Sequence, residues 1–305
     1  MDLVTPLLPE QEVSIMAGAP GAGKTRWLMQ MIASLQRGEP VFGLPARKGL
    51  RLAYIAADRS WASYEHWAHL AGVDLASLPI RKLTDDTSIN LKLLVQNPMS
   101  FLEEGLLKPL LPADLIVVDP LIIFLGGNIR DYTANAVKLI RLNRYCKANQ
   151  VTLLGTHHAG KARTDYGFKR PQDRISGTAA FLGYSSTQIF LNTPEESGNP
   201  FHELHVISHT APPLILTFDV AKNGLFTPSF IEEPSASVLL GESERKALLL
   251  SAIPQDAAIC KHTLVAVCAG IPERSLERYL LDLIKDGLVV RLKQGAYQRV
   301  PIAFS

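Results

Sequence analysis

The residues best suited to chemistry stand near the start of the chain. Gly18-Ala19-Pro20-Gly21-Ala22-Gly23-Lys24-Thr25 fills every fixed position of the spacing G-x-x-x-x-G-K-[ST]. In that spacing the glycines let consecutive backbone N–H groups turn inward around phosphate oxygens, and a helix starting at the lysine points its positive end at the same anion. Lys24 is placed to reach the β and γ phosphates of a nucleotide, and the Thr25 hydroxyl to bind Mg²⁺. Arg26, directly after them, completes the candidate nucleotide-binding set. Further along, Leu115-Ile116-Val117-Val118-Asp119-Pro120 sets four apolar residues before a carboxylate. A buried strand of this kind delivers an aspartate to the metal; an aspartate after a core strand also serves as a helix cap or turn former. Asp119 is the candidate second Mg²⁺ residue, and the expected cofactors are ATP and Mg²⁺.

These residues need a scaffold that brings strand ends together. Short runs rich in Val, Ile and Leu alternate with longer amphipathic segments, the pattern of an α/β fold with a mostly parallel sheet covered by helices. Strands are predicted near Val13 to Ala17, Arg51 to Ala57, Leu115 to Asp119, Val151 to Gly155 and Thr187 to Asn192. Helices near Lys24 to Gln36, Trp61 to Ala71 and Asp131 to Asn149 are long enough for the crossovers between parallel strands. Glu203 to Ser208 and Leu214 to Phe218, separated by Ala211-Pro212-Pro213, read as an antiparallel hairpin that extends the sheet.

Residues 226–242, with Pro228, Pro234 and several serines, read as a linker. Beyond it, helices are predicted at Ser243 to Ile253, Thr263 to Cys268 and Pro272 to Asp286, the last capped by Gly287. Leu288 to Leu292 and Ala296 to Val300 flank Lys293-Gln294-Gly295 as a hairpin. Three small helices and a hairpin resemble a winged helix-turn-helix. The expected division is a nucleotide-binding domain over residues 1–225, a linker over 226–242 and a winged-helix domain over 243–305.

Composition narrows the setting. With 305 residues, 47% of them hydrophobic, the chain can bury one large core and one small one. A net charge of +2 excludes a strongly acidic or basic protein, so a nucleic-acid partner must be met by local patches. Cys146, Cys260 and Cys268 are odd in number and lack metal-ligand spacing, which favours reduced thiols in a cytosol. Met1 to Gln11 has no charged start followed by an apolar run, and no later stretch is apolar for long enough to span a bilayer. The expected location is the cytoplasm, with no membrane partner.

With both motifs in place, the chain resembles the RecA-like hexameric helicase group, particularly the RepA-type replicative helicases of plasmids and related ATPases of phages and mobile elements. The resemblance spans roughly residues 10–220 and rests also on Tyr54-Ile55-Ala56-Ala57-Asp58, Val151-Thr152-Leu153-Leu154-Gly155-Thr156-His157-His158-Ala159-Gly160-Lys161 and Ile175-Ser176-Gly177-Thr178-Ala179-Ala180. It implies an ATPase that acts as a helicase or translocase in DNA replication, as a hexamer on single-stranded DNA. It assigns the sensing of the γ phosphate to His157, with His158 beside it; from the residues alone, both are equally ordinary hydrogen-bonding groups. Where the family has a glutamate that polarises the attacking water, this chain has Asp58, one methylene shorter, which implies slower turnover. Capping the helix near Trp61 is the other use for that carboxylate.

The arginine that the family supplies in trans has no counterpart in Gly183-Tyr184-Ser185-Ser186-Thr187-Gln188. Lys161, Arg163, Lys169, Arg170 and Arg174 are candidates for that role. The family's DNA-binding loop falls on the same stretch, where Tyr166 and Phe168 suit stacked bases, although a solvated loop has the same composition. In the winged helix the candidate DNA contacts are Arg274, Arg278, Arg291 and Lys293, within a segment from Ser243 to Ser305 of nine basic and six acidic residues. Such a module takes duplex DNA or a replication protein as its partner. The alternative that Asp58 and the missing arginine leave open is a nucleotide-gated DNA-binding or scaffold protein with slow hydrolysis.

Overall fold

The computed structural model describes residues 2–87, 89, 91–126, 128, 131–159, 180–194, 201–232, 242–254, 258–261, 263–264, 268, 273–292 and 296–300. The chain divides into two compact units, residues 1–232 and 233–305.

In the first unit, β1 (Asp2–Val4) and β2 (Leu8–Pro9) form a small antiparallel ribbon. The main strands are β3 (Val13–Gly18), β4 (Leu52–Ala56), β5 (Ile80–Lys82), β6 (Leu115–Asp119), β7 (Thr152–His158) and β8 (Thr187–Asn192). Three more follow: β9 (His202–Ser208), β10 (Leu214–Val220) and β11 (Phe226–Glu232). Among the described residues they make one sheet in the order β11-β10-β9-β8-β3-β7-β6-β4-β5. Pairing is parallel from β8 to β5, while β9, β10 and β11 add on antiparallel. Because β7 lies between β3 and β6, the carboxyl ends of all three meet at one edge of the sheet, where ligands of open α/β sheets bind.

Helices α1 (Lys24–Arg37) and α2 (Trp61–Ala71) cover one face of this sheet. Trp27, Leu28, Met31 and Ile32 of α1 and Tyr64 and Ala68 of α2 share a core with Leu52, Tyr54, Leu115, Val117 and Leu154. Ala53, Ile55, Ile116, Val118 and Leu153 point to the other face, against Leu139, Leu142 and Cys146 of the helix Tyr132–Asn149 and residues of the turns that precede β6. Strands buried on both faces carry no polar stripe, which is why their sequences read as unbroken apolar runs. The period of two along each strand then sets Asp119, Thr156 and His158 on the α1 and α2 face and turns His157 to the other.

Two segments depart from the sequence reading. Phe226–Glu232, given to the linker for its proline and its lack of periodicity, is the edge strand β11. Pro228 is accommodated beside a bulge between Thr217 and Phe218, on a strand whose outer side needs no donor. β7 runs on through Thr156, His157 and His158, which stay in register with Met16, Ala17 and Gly18; polar residues at a buried strand end hid the extension.

In the second unit, helices span Glu242–Ala252 and Glu273–Lys285. Strands β12 (Ile259–Cys260), β13 (Val289–Arg291) and β14 (Ala296–Arg299) form an antiparallel sheet in the order β12-β14-β13. Leu276, Tyr279, Leu280 and Leu283 line one face of the second helix and pack with Leu249, Ile253, Val289 and Tyr297. Gly287, at φ 72°, ends it in the left-handed conformation, its N–H bonded to the Ile284 carbonyl. Residues 265–267 of the expected middle helix and 293–295 of the hairpin turn lie outside the described residues. No helix among the described residues is long and apolar enough to cross a membrane.

Candidate functional site

The loop between β3 and α1 is kept open by missing side chains. Gly23, the N-cap of α1, has φ 96°, a conformation costly for any other residue. A Cβ there would stand 2.7 Å from Arg26 Nη2 and 2.9 Å from Phe226 Cζ; at Gly18 it would stand 2.8 Å from the Leu191 carbonyl oxygen. Lys24 folds back over this loop, its ammonium donating to the carbonyls of Gly18 at 2.8 Å and Ala19 at 3.1 Å. A cradle of backbone at a helix N-terminus, with a lysine across it, fits a polyphosphate.

Asp119 is 5% exposed, and a carboxylate so buried requires donors. Three hydroxyls provide them: Thr25 at 2.7 Å and Tyr54 at 2.8 Å on Oδ2, and Thr156 on Oδ1. The Thr25 bond joins two residues that the sequence marks independently as Mg²⁺ ligands, and an all-oxygen pair suits that ion. From α2, the Tyr64 hydroxyl donates to Asp58 Oδ1 at 2.6 Å and lies 3.1 Å from the Asp119 carbonyl. Burial first, and then the charge of Asp119, push the phenols of Tyr54 and Tyr64 well above their ordinary range, so both remain donors.

Asp58 itself is exposed, two residues past the end of β4. It does not cap α2: the N-cap is Ser60, and the Trp61 N–H is taken by Asp85 Oδ2 at 2.8 Å. Tyr54, Tyr64 and Thr156 are absent from the sequence candidates. The available signal was a hydroxyl inside an otherwise apolar strand, at Tyr54 and at Thr156, on the same sheet face as Asp119.

The two histidines divide between the faces of the sheet. His157 is 2% exposed, with its ring edge-on to Phe181 at 4.6 Å, its Nδ1 2.8 Å from the His158 carbonyl and its Nε2 buried without a partner among the described residues. His158 lies beside Gly18 in the sheet and within electrostatic reach of Lys24, Asp58, Asp119 and Arg59. The histidine on the side of the phosphate loop's helix is thus His158, whereas the resemblance assigns sensing to His157. Burial lowers the pKa of both, that of His157 to about 4.

That shift sets a pH window. The unfolded His157 takes up its proton near 6.5 and the folded one only near 4, so the unfolded state binds more protons between these values. Above 6.5 the residue makes no difference to stability; as pH falls toward 4 it favours unfolding by an amount that grows to roughly 3 kcal/mol. Urea unfolding at pH 7 and pH 5 is expected to differ by about 2 kcal/mol more in the parent than in His157→Phe; equal losses in both would clear this residue of the effect.

Arg26 lies against the loop at Gly23 and between two aromatic rings. Its guanidinium lies 3.9 Å from the Phe226 ring and 5.5 Å from that of Trp67, its Nε is buried without a partner among the described residues, and burial lowers its pKa. The same Phe226 is fastened to α1 by Gln30, whose amide pairs with the Phe226 N–H and carbonyl, both at 2.8 Å.

Lys161, Arg163, Lys169, Arg170, Arg174 and Lys293 lie outside the described residues, as does the side chain of Arg274. Arg278 and Arg291 are exposed in the second unit, Arg278 with its guanidinium 5.1 Å from the Tyr279 ring. Among the described residues no group of three His, Cys, Asp or Glu is placed to hold a metal ion. A cavity of about 620 Å³ lies at the far end of the sheet, by Arg37, Arg51 and Asp74, and contains none of the candidate residues.

No curated protein matches the chain. Residues 1–164 match the family described as AAA domain, a span that takes in the phosphate loop, Asp58, Asp119, Thr156 and both histidines and covers more than half of the sequence. The chain belongs to the AAA domain family, and its larger unit is a P-loop nucleotide-binding domain on a mostly parallel, RecA-like sheet.

Proposed function

We propose that the protein is an ATP-dependent DNA helicase or translocase that works as a hexameric ring on single-stranded DNA during replication of a plasmid, phage or mobile element. The observation that carries the reading is the hydrogen bond from Thr25 to Asp119 beneath a loop crossed by Lys24. Bound ATP would supply the phosphoanhydride bond whose cleavage drives movement, and Mg²⁺ would neutralise its phosphates. Lys24 holds the β and γ phosphates, Thr25 and Asp119 hold the metal, and Asp58, braced by Tyr64, orients water. His158 takes the sensor position, and the stretch from Lys161 to Arg174 that follows it contacts the strand.

The second unit serves, in this reading, as a winged helix. Its apolar helix face at Leu276, Tyr279, Leu280 and Leu283 and its paired β13 and β14 support that role. Two acids on the helix Glu273–Lys285 are matched from within the unit, Glu277 by Lys261 and Asp282 by Lys246. That reduces the negative charge which Glu277 and Asp282 set against contact with phosphates through Arg278, Lys285 and Arg291.

The test is ATP hydrolysis with Mg²⁺, with and without single-stranded DNA. The protein is expected to hydrolyse ATP faster with DNA, and Lys24→Ala to lose ~10³-fold or more. Hydrolysis that stays at background under both conditions, with nucleotide still bound, sinks the motor and leaves the nucleotide-gated scaffold. Asp58, exposed and shorter than glutamate, is the observation that favours that second reading.

A further inference from the structure

The chain lacks an arginine where the resemblance places one, yet a cation stands at the mouth of the candidate site in the same subunit. Arg59 follows Asp58 directly. The Thr84 hydroxyl donates to the Arg59 carbonyl at 2.7 Å, fixing the backbone at that point. The side chain remains 65% exposed and, among the described residues, approaches Asp58 Oδ1 at 4.0 Å. An ion pair that long and that exposed contributes little and is readily exchanged for a better anion. Asp58 does not depend on it, since Tyr64 already donates to the same oxygen.

The position is defined by its neighbours. Ala57 donates its N–H to the Asp119 carbonyl at 2.9 Å, so the turn that carries Asp58 and Arg59 is tied to the metal-binding strand. The charge of Arg59 is felt at His158 together with those of Lys24, Asp58 and Asp119, which gathers all five groups at the carboxyl ends of β3, β4, β6 and β7. Arg26, the other arginine near the loop, is held against Phe226 and Trp67. Guanidinium is the side chain best matched to phosphate, and an arginine supplied by the same chain has precedent in phosphoryl transfer.

We propose that Arg59 binds the terminal phosphate of the nucleotide in cis, contacting the γ phosphate held by the Lys24 of its own subunit. This rests on the nucleotide-binding reading of the loop above. A γ-phosphate ligand distinguishes triphosphate from diphosphate, and that distinction can be measured without turnover.

Calorimetric titration of the full chain with ATPγS and with ADP, both with Mg²⁺, provides the test. The parent is expected to prefer ATPγS; Arg59→Ala should lose roughly 10- to 100-fold of that preference with ADP affinity kept, and Arg59→Lys should fall between them. A parent that binds neither nucleotide refutes the function proposed above. A parent that prefers ATPγS, with Arg59→Ala retaining the full preference, refutes Arg59 alone. Retained ADP binding shows that the variant is folded. Mixing Arg59→Ala subunits with Lys24→Ala subunits decides between the same chain and a neighbour: the preference stays lost if the contact is in cis, and its recovery overturns the cis assignment.

Discussion

Asp119→Asn is expected to lose metal-dependent hydrolysis by ~10²-fold or more and yet remain folded, whereas Asp119→Ala loses both activity and stability. The separation follows from the three hydroxyls on this carboxylate. An amide of the same size offers one acceptor and one donor group, and Thr25, Tyr54 and Thr156 can each rotate to donate or accept. The hydrogen bonds can be re-formed; the negative charge that a divalent ion requires cannot. Alanine removes every acceptor at a site that is 5% exposed. A buried hydroxyl left without a partner costs about 1–3 kcal/mol, and the three are coupled, so a total loss of roughly 3–5 kcal/mol is expected. Urea unfolding and ATPase assays on the two variants check this. Normal turnover in Asp119→Asn would remove Asp119 from the metal site.

Gly155→Ala has the next largest expected effect, and one methyl group causes it. A Cβ at this position in β7 would stand 2.5 Å from Leu121 Cδ2 and 2.6 Å from Leu121 Cβ. Leu121 cannot retreat easily, because its N–H is bonded to the Thr156 carbonyl at 3.0 Å and its side chain sits in the core. Overpacking of this kind costs about 1–3 kcal/mol. Leu121 is also two residues from Asp119, so the push reaches the carboxylate proposed to hold the metal, and displacements near 1 Å at such groups reduce rates by ~10²-fold. A lowered urea midpoint with a reduced kcat is the expected pair of results. A variant with parental stability would mean that β7 and the turn after β6 separate without cost.

Much of this architecture is legible in the sequence because burial on both faces leaves one unambiguous mark. Leu115–Asp119 and Thr187–Asn192 have the predicted bounds, each an apolar run flanked by residues that break it. The phosphate loop is legible for a different reason: backbone cradles require glycine at fixed spacing, and the spacing survives without any context. What the sequence hides is whatever depends on distance in space. Thr25 and Asp119 are 94 residues apart, and Tyr64 meets Asp58 only because α2 folds back onto β4. The side toward which His157 and His158 each point depends on how far β7 continues, and the expected strand stops at Gly155, before both. β11 is concealed by Pro228, which an edge strand tolerates and a central one would not.

The grip of α1 on β11 has a mechanical consequence. Gln30 clasps the backbone of Phe226 on both sides, and the guanidinium of Arg26, two residues past Lys24, stands 3.9 Å from its ring. From Phe226 the strand runs seven residues along the edge of the sheet to Glu232, the last residue of the first unit. The helix that begins at the phosphate loop therefore holds one end of the sheet's edge strand. Any rotation of that helix is therefore passed to the edge of the sheet through Gln30 and Arg26.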